Sequence, residues 1–270
     1  MKRLFFFCAT AVLGFSQSFA QLSEDDYGIF NHLSAGISVG TDGIGFEVAA
    51  PLTYKFDVRA GYSLMPKFKY SKTIDLNDDP AFIEGVSHVD VEGKLNMGNF
   101  HLLFDFHPIA SSSFRLTAGA YIGNGKLLTA RNLTPFVKEE KWGVAGFEMG
   151  TGANTYTAVS DSKTGDVNID LKVGAFKPYL GIGFGRAVPK GRVGVQFDLG
   201  VQFWGTPGVW TNINEWDEQE SDYVTKYMKI DKDRITNPKK DYQDVKDAVK
   251  IIEKFSVYPV LSLKINGRIF

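Results

Sequence analysis

Apolar and polar residues alternate with a period of two in eight separate segments of the chain. In one of these segments Phe100, Leu102 and Phe104 alternate with His101 and Asp105. Successive side chains of a β-strand point to opposite faces, so this pattern predicts strands with one apolar and one polar face. The eight predicted strands cover residues 33–39, 44–52, 56–64, 100–107, 114–122, 176–184, 193–203 and 256–269.

The connections between these strands alternate in length. Short ones cover 54–55, 108–113 and 188–191, and the sharp turn Thr41-Asp42-Gly43 is short as well. Long ones, predicted as outer loops, cover 65–94, 124–169 and 205–254. The chain after Ala20 has no run of about 18 apolar residues, so the other structure that can cross a membrane is a closed barrel. The pattern predicts an all-β, antiparallel up-and-down transmembrane β-barrel of about eight strands, with ten left open.

A soluble barrel or sandwich also shows alternating faces. The membrane interpretation is favoured because the apolar face is continuous, whereas the opposite face holds glycine, serine and charged residues. The 270 residues carry a net charge of −1, which gives no overall attraction for nucleic acid. Within 205–254, residues 241–255 show apolar positions at three-to-four spacing and predict a short helix in the last outer loop.

The first twenty residues predict a secretory signal peptide. A basic start is followed by the apolar stretch 4–15 and by small residues at Ser18 and Ala20, which predicts cleavage after Ala20. The single cysteine, Cys8, lies within this leader. The predicted organisation is therefore a signal peptide over 1–20, a periplasmic N-terminal segment over 21–30, and the barrel with its outer loops over 31–270.

The polar face of the predicted strands carries charges of both signs. An eight-stranded barrel is just wide enough for side chains to fill, and buried charges are expected to pair. We therefore predict a structural ion network in the lumen made of Glu47, Asp57, Arg59, Asp105, Arg115, Lys177, Asp198, Lys264 and Arg268. The opposite, lipid-facing set includes Phe46, Val58, Phe104, Phe106, Leu116, Phe197 and Leu263.

Candidate catalytic and metal-binding groups are weak. His101, Asp105 and His107 share one strand face, but six residues of strand separate the histidines by about 20 Å, too far for one ligand sphere. The acidic segment 75–79 begins like a calcium loop, yet Pro80 stands where a glycine is required. We predict no catalytic residue, no cofactor and no metal ion.

The segment Asn96–Pro108 followed by Phe114–Gly119 resembles a hairpin common in small barrels of Bacteroidota. Together with the leader, the eight strands and the terminal Phe270, the chain resembles the small outer-membrane β-barrels of the OmpA transmembrane domain, OmpX and OmpW types. The resemblance implies insertion in the outer membrane of a Gram-negative bacterium, with Phe270 as the signal for the barrel-assembly machinery. Outer-membrane lipid, lipopolysaccharide and an unknown extracellular ligand are the other expected partners.

Three functions remain open at this point. The favoured hypothesis is a non-enzymatic barrel with an envelope-structural, adhesion or surface-recognition role carried by its outer loops, because long loops often bind ligands. The alternative is a narrow OmpW-like transporter of small or apolar solutes, for which Leu103, Tyr179 and Val260 are the inward-facing apolar residues. The third is a lipid-modifying outer-membrane enzyme.

Overall fold

The computed structural model describes residues 26–76, 79–109, 112–149, 156–217, 219, 222–230, 247 and 249–270. The predicted signal peptide and its cleavage site lie outside these residues. Eight strands form a closed antiparallel barrel in which each strand pairs with the next barrel strand along the chain. They are β1 Ser34–Gly40, β2 Gly43–Thr53, β3 Phe56–Leu64, β6 Gly98–Phe106, β7 Phe114–Gly123, β12 Phe176–Phe184, β13 Val193–Phe203 and β16 Val257–Arg268.

Pairing between the first and last strands closes the barrel. β1 and β16 run antiparallel from the Ser34–Arg268 pair to the Gly40–Ser262 pair. The predicted fold class is confirmed, and the strand count is eight rather than ten. Every barrel strand lies within three residues of its predicted bounds, because the contrast between its two faces is strong.

The three long connections form a second sheet, which we call the outer sheet. The sequence pattern treats them as loops, but the structure builds further strands in each of them. These are β4 Lys69–Asp75, β5 His88–Leu95, β8 Lys126–Asn132, β9 Gly146–Met149, β10 Tyr156–Val159, β11 Asn168–Lys172, β14 Gly208–Asp217 and β15 Asp222–Lys229. A 3₁₀ turn spans Glu139–Lys141.

The outer sheet continues the wall of the barrel. Six outer strands are hydrogen-bonded in the order β4, β5, β8, β11, β14 and β15. Each of them comes next to one barrel strand in the chain, and these barrel strands are hydrogen-bonded in the matching order β3, β6, β7, β12, β13 and β16. Five of the eight barrel strands are thus extended beyond the barrel, while residues 230–256 separate β15 from β16, and β1 and β2 end at their tight turn. We call this end of the barrel the sheet end, and the end with the short connections the turn end.

One face of the outer sheet is apolar and buried. Its core contains Val89, Ala158, Val167, Ile213 and Ile230, and the connections between strands add Phe136 and Val137. A separate buried cluster of Met97, Val173 and Trp204 lies where the barrel meets the outer sheet. The outer sheet therefore has a hydrophobic core of its own.

A short helix covers residues 249–254 immediately before β16. It falls within the helix predicted over 241–255, of which 241–246 and 248 lie outside the described residues. Among the residues that the structure describes, no helix is both long and apolar enough to cross a bilayer.

The outer part of β16 continues beyond the end of β1. There Thr41 takes over the pairing, since its hydroxyl donates to the Pro259 carbonyl at 3.0 Å and accepts from the Leu261 amide at 3.1 Å. The Tyr258 hydroxyl in turn donates to the Thr41 carbonyl at 2.6 Å.

Candidate functional site: the barrel interior and the outer sheet

The barrel has an apolar outside and a polar inside. Phe46 and Leu263 expose 56% and 49% of their surface, whereas Arg59 and Asp105 on the opposite face expose 1% and 0%. A soluble barrel has the reverse arrangement. All of the residues predicted to face lipid lie on the outer face, namely Phe46, Phe104, Leu116, Phe197 and Leu263, with the less exposed Val58 and Phe106.

Arg59 lies at the centre of a layer of ion pairs that crosses the barrel interior. Its Nε and Nη2 atoms lie 2.8 and 2.9 Å from the two carboxylate oxygens of Asp105. Nη1 lies 3.3 Å from Asp198 and 3.4 Å from Glu47. These acids come from three other strands, so one guanidinium group connects four strands across the lumen.

Two further cations complete this layer. Arg115 donates to Asp198 and lies 3.4 Å from Asp105, and Lys264 donates to Glu47 and lies 4.0 Å from Asp198. The central ion layer therefore consists of Glu47, Asp105, Asp198, Arg59, Arg115 and Lys264. Its three carboxylates face two guanidinium groups and one ammonium group, which gives a formal charge of zero.

Glycines make room for the large side chains of the interior. A Cβ atom at Gly183 would lie 2.9 Å from the guanidinium carbon of Arg115, and one at Gly200 would overlap the ring of Tyr179. Tyr179 packs edge-on against Tyr121 at 5.4 Å and, with Leu103 and Val260, forms an apolar layer next to the ion layer. The inward-facing apolar residues noted in the sequence thus pack against one another.

The two histidines bind different carboxylates. His101 lies 3.0 Å from Glu47 in the ion layer, and His107 lies 3.2 Å from Asp57 near the turn end. Asp57 therefore stands outside the central ion layer although the sequence places it in one network. No group of three or more potential metal ligands is found among the described residues.

Two more of the predicted network residues have no carboxylate partner among the residues that the structure describes. Lys177 donates to the side-chain oxygen of Asn99 at 2.6 Å, nearer the sheet end. Arg268 donates to the backbone carbonyl of Lys190 at 2.9 Å, at the turn end. Six of the nine predicted residues thus form the central layer, and the other three lie above or below it.

The turn end is closed by a cluster that the sequence pattern does not indicate. The Tyr27 hydroxyl donates to the Val188 carbonyl at 3.2 Å, and burial raises the pKa of this tyrosine to about 12. The Arg186 guanidinium lies 4.1 Å from the centre of the Tyr54 ring and donates to the Tyr54 carbonyl. In the sequence, the residue that marks this place is Gly185. Its φ of +89° lies in the left-handed region that glycine tolerates, and this permits the sharp turn that directs Arg186 inward.

The polar face of the outer sheet carries an aromatic and basic cluster. Trp210 stacks on Tyr227 at 5.7 Å, and the Lys172 ammonium lies 4.2 Å from the centre of the Tyr227 ring. Burial raises the pKa of Asp170, but hydrogen bonds from Lys126, Thr129 and Tyr227 outweigh it and hold this pKa below the ordinary value. Nearby, the hydrogen bond from Lys69 lowers the pKa of Glu92.

Comparisons with known proteins give a likeness in structure only. No protein-family model and no curated protein matches the chain. Among solved structures, Acinetobacter baumannii CarO is similar with 19% identity and a TM-score of 0.42, over 87% of this chain and 96% of CarO. Acinetobacter baumannii CarO2 is similar with 15% identity and a TM-score of 0.44, over 88% of this chain and 98% of CarO2.

Proposed function

We propose that this chain is an outer-membrane β-barrel protein of a Gram-negative bacterium. The apolar outer face of the barrel and its charged interior support this, because lipid accepts closed barrels with apolar exteriors. Barrel strands of 7 to 12 residues also suit a bilayer, which needs about 9–11 residues in a tilted strand. The turn end would face the periplasm and the sheet end the cell exterior.

We further propose that the barrel is a non-enzymatic support and that the outer sheet performs the function. The observation that carries this proposal is the central ion layer, in which Arg59 joins carboxylates from three other strands. A lumen occupied in this way leaves its interior to structure rather than to solute passage, and general diffusion needs barrels of about 16 strands. The role would be envelope-structural, adhesive or one of surface recognition.

The outer sheet offers chemistry that suits recognition. Trp210, Tyr227 and Lys172 form a stacked aromatic and cationic group on its polar face. A cleft of about 490 Å³ lies elsewhere in the outer sheet region, between the segment Asp79–Ser87 and Lys138. Aromatic side chains are enriched where proteins bind partners, so these surfaces are where an extracellular ligand or lipopolysaccharide would be sought.

A separate proposal concerns the two residues that follow the last strand. Ile269 and Phe270 follow the last strand and are 60% and 62% exposed. We propose that Phe270 is recognised by the barrel-assembly machinery. Deleting Phe270 should then lower the amount of protein in outer-membrane fractions, while Phe270→Tyr should be tolerated.

Two measurements test the main proposal. Outer-membrane fractions should contain a band whose mobility in mild detergent shifts on heating, as expected for a closed barrel. The purified protein should then give no steady single-channel conductance in planar bilayers. Stepwise conductance would instead favour the narrow transporter, and recovery as a soluble periplasmic protein would refute the membrane proposal. Modification of lipids by the purified protein would point to the enzyme hypothesis.

A further inference from the structure

Among the described residues, three buried side chains near the sheet end have hydrogen-bond donors without acceptors. Lys177, Asn99 and Gln202 expose 2%, 1% and 0% of their surface. The Lys177 ammonium has three N–H groups, and its hydrogen bond in the described structure is the one to Asn99. The amide nitrogens of Asn99 and Gln202 have no hydrogen-bond partner in the described residues.

The orientation of both amides is fixed by their neighbours. The Asn99 oxygen accepts from Lys177 at 2.6 Å, and an ammonium group can only donate. The Gln202 oxygen accepts from the indole N–H of Trp204 at 3.0 Å, and an indole can only donate. In each amide the atom without a partner among the described residues is therefore the nitrogen. Since this nitrogen is a donor, the group that is missing is a hydrogen-bond acceptor.

These donors lie at neighbouring inward positions of the barrel. Lys177 and Tyr179 are successive inward-facing residues of β12, and Tyr179 pairs with Gln202 on β13. Lys177 and Gln202 are therefore diagonal neighbours on adjacent strands. No carboxylate lies within 4.0 Å of the Lys177 ammonium in the part of the chain that the structure describes. Asp42, a buried acid at this end, lies in the β1–β2 turn.

Apolar groups enclose the donors on both sides. Trp204 stacks on Tyr258 at 4.5 Å towards the sheet end, and Tyr121 packs on Tyr179 at 5.4 Å towards the ion layer. A buried ammonium without a counter-charge is costly, and charge interactions are strong where water is excluded. We infer that Lys177, Asn99 and Gln202 form a binding site for one small anion, a halide or a carboxylate group.

The first test compares urea unfolding of the full-length protein, folded in detergent, in sodium bromide, sodium formate and sodium gluconate at equal ionic strength. Gluconate is much larger than bromide or formate and serves as the reference anion. We expect a saturable rise of the urea midpoint in bromide or formate. At 100 times the dissociation constant, the unfolding equilibrium constant should fall about 100-fold. A larger effect of bromide identifies a halide site, and a larger effect of formate identifies a carboxylate site.

Two variants and a control locate the effect. Lys177→Met removes the charge, whereas Asn99→Asp supplies a carboxylate at the position that already lies 2.6 Å from the ammonium. Both should lose the anion-dependent rise, while Lys94→Met, which removes an exposed lysine of the outer sheet, should keep it. If Lys177→Met does not fold, the near-isosteric Asn99→Asp decides. An anion effect that is absent in the unmodified protein, or that persists in Asn99→Asp, would overturn the inference.

Discussion

Replacing Arg59 by methionine tests whether the central ion layer holds the barrel together. Methionine has a similar length and no charge, so the change leaves three carboxylates facing Arg115 and Lys264 alone. Asp105 loses both of its contacts with the Arg59 guanidinium, at 2.8 and 2.9 Å, in a site that is 0% exposed. Removing one partner of a buried pair costs about 3–5 kcal/mol because the remaining charge is uncompensated. The folding equilibrium constant should fall by about two to four orders of magnitude.

The assay is reversible urea unfolding in detergent or lipid vesicles, followed by tryptophan fluorescence and by gel mobility without heating. Arg131→Met is the matched control, because Arg131 pairs with Glu92 at 3.6 Å on the outer sheet and is half exposed. An exposed pair contributes about 0–1 kcal/mol, so the control should change little.

A second change separates charge balance from packing. Asp105→Asn in the Arg59→Met background restores two carboxylates against two cations and keeps the acceptor for Thr117, whose hydroxyl donates to Asp105 at 2.6 Å. The double variant should therefore be more stable than Arg59→Met alone. A cost for Arg59→Met no larger than that of the control, or no recovery in the double variant, would refute the proposed ion layer.

Three further predictions concern other parts of the molecule. Phe104→Arg places a charge on the apolar outer face and should cost up to about 2–4 kcal/mol and lower membrane assembly, whereas Phe104→Leu should assemble normally. Because the pKa of Asp170 is lowered on folding, its stabilising effect is present above the ordinary value of 3.8 and is lost at lower pH. Acid titration followed by Trp210 fluorescence should show this loss, and Asp170→Asn should remove the pH step. Tyr27→Phe should cost about 1 kcal/mol in urea unfolding and Tyr27→Ala about 3 kcal/mol, and equal costs would contradict a packed turn-end cluster.

The barrel could be predicted from the sequence because each barrel strand contrasts an apolar face with a polar one. The outer sheet could not, since its strands lack that contrast. In β4, for example, every residue of Lys69–Asp75 is exposed, and Lys72 interrupts the apolar positions Tyr70 and Ile74. β4 is specified by its pairing with β5, and β5 by its pairing with β8 further along the chain, rather than by the pattern of β4 itself.

The alternation of apolar and polar residues also predicted that the charged side chains face the barrel interior, but it did not identify their partners. It fixes which face a residue occupies but not its position around the barrel or along the axis. Arg59 and Lys177 therefore look equivalent in the sequence, although Arg59 contacts three acids and Lys177 contacts Asn99. Partner identity depends on strand order and register, which emerge only when β1 and β16 close the barrel.

The pairing of β1 with β16 also has a consequence for the order of folding. Ser34 and Arg268 are almost at opposite ends of the described chain, so joining them carries a large loop-closure entropy and is expected late. Before that step both strands have open edges, and β16 is the longest barrel strand with 12 residues against 7 in β1. Pro259 and the Thr41 hydroxyl occupy the overhanging stretch and limit its pairing with another chain. We therefore expect this joint to form last and to be the first place where a folded barrel opens.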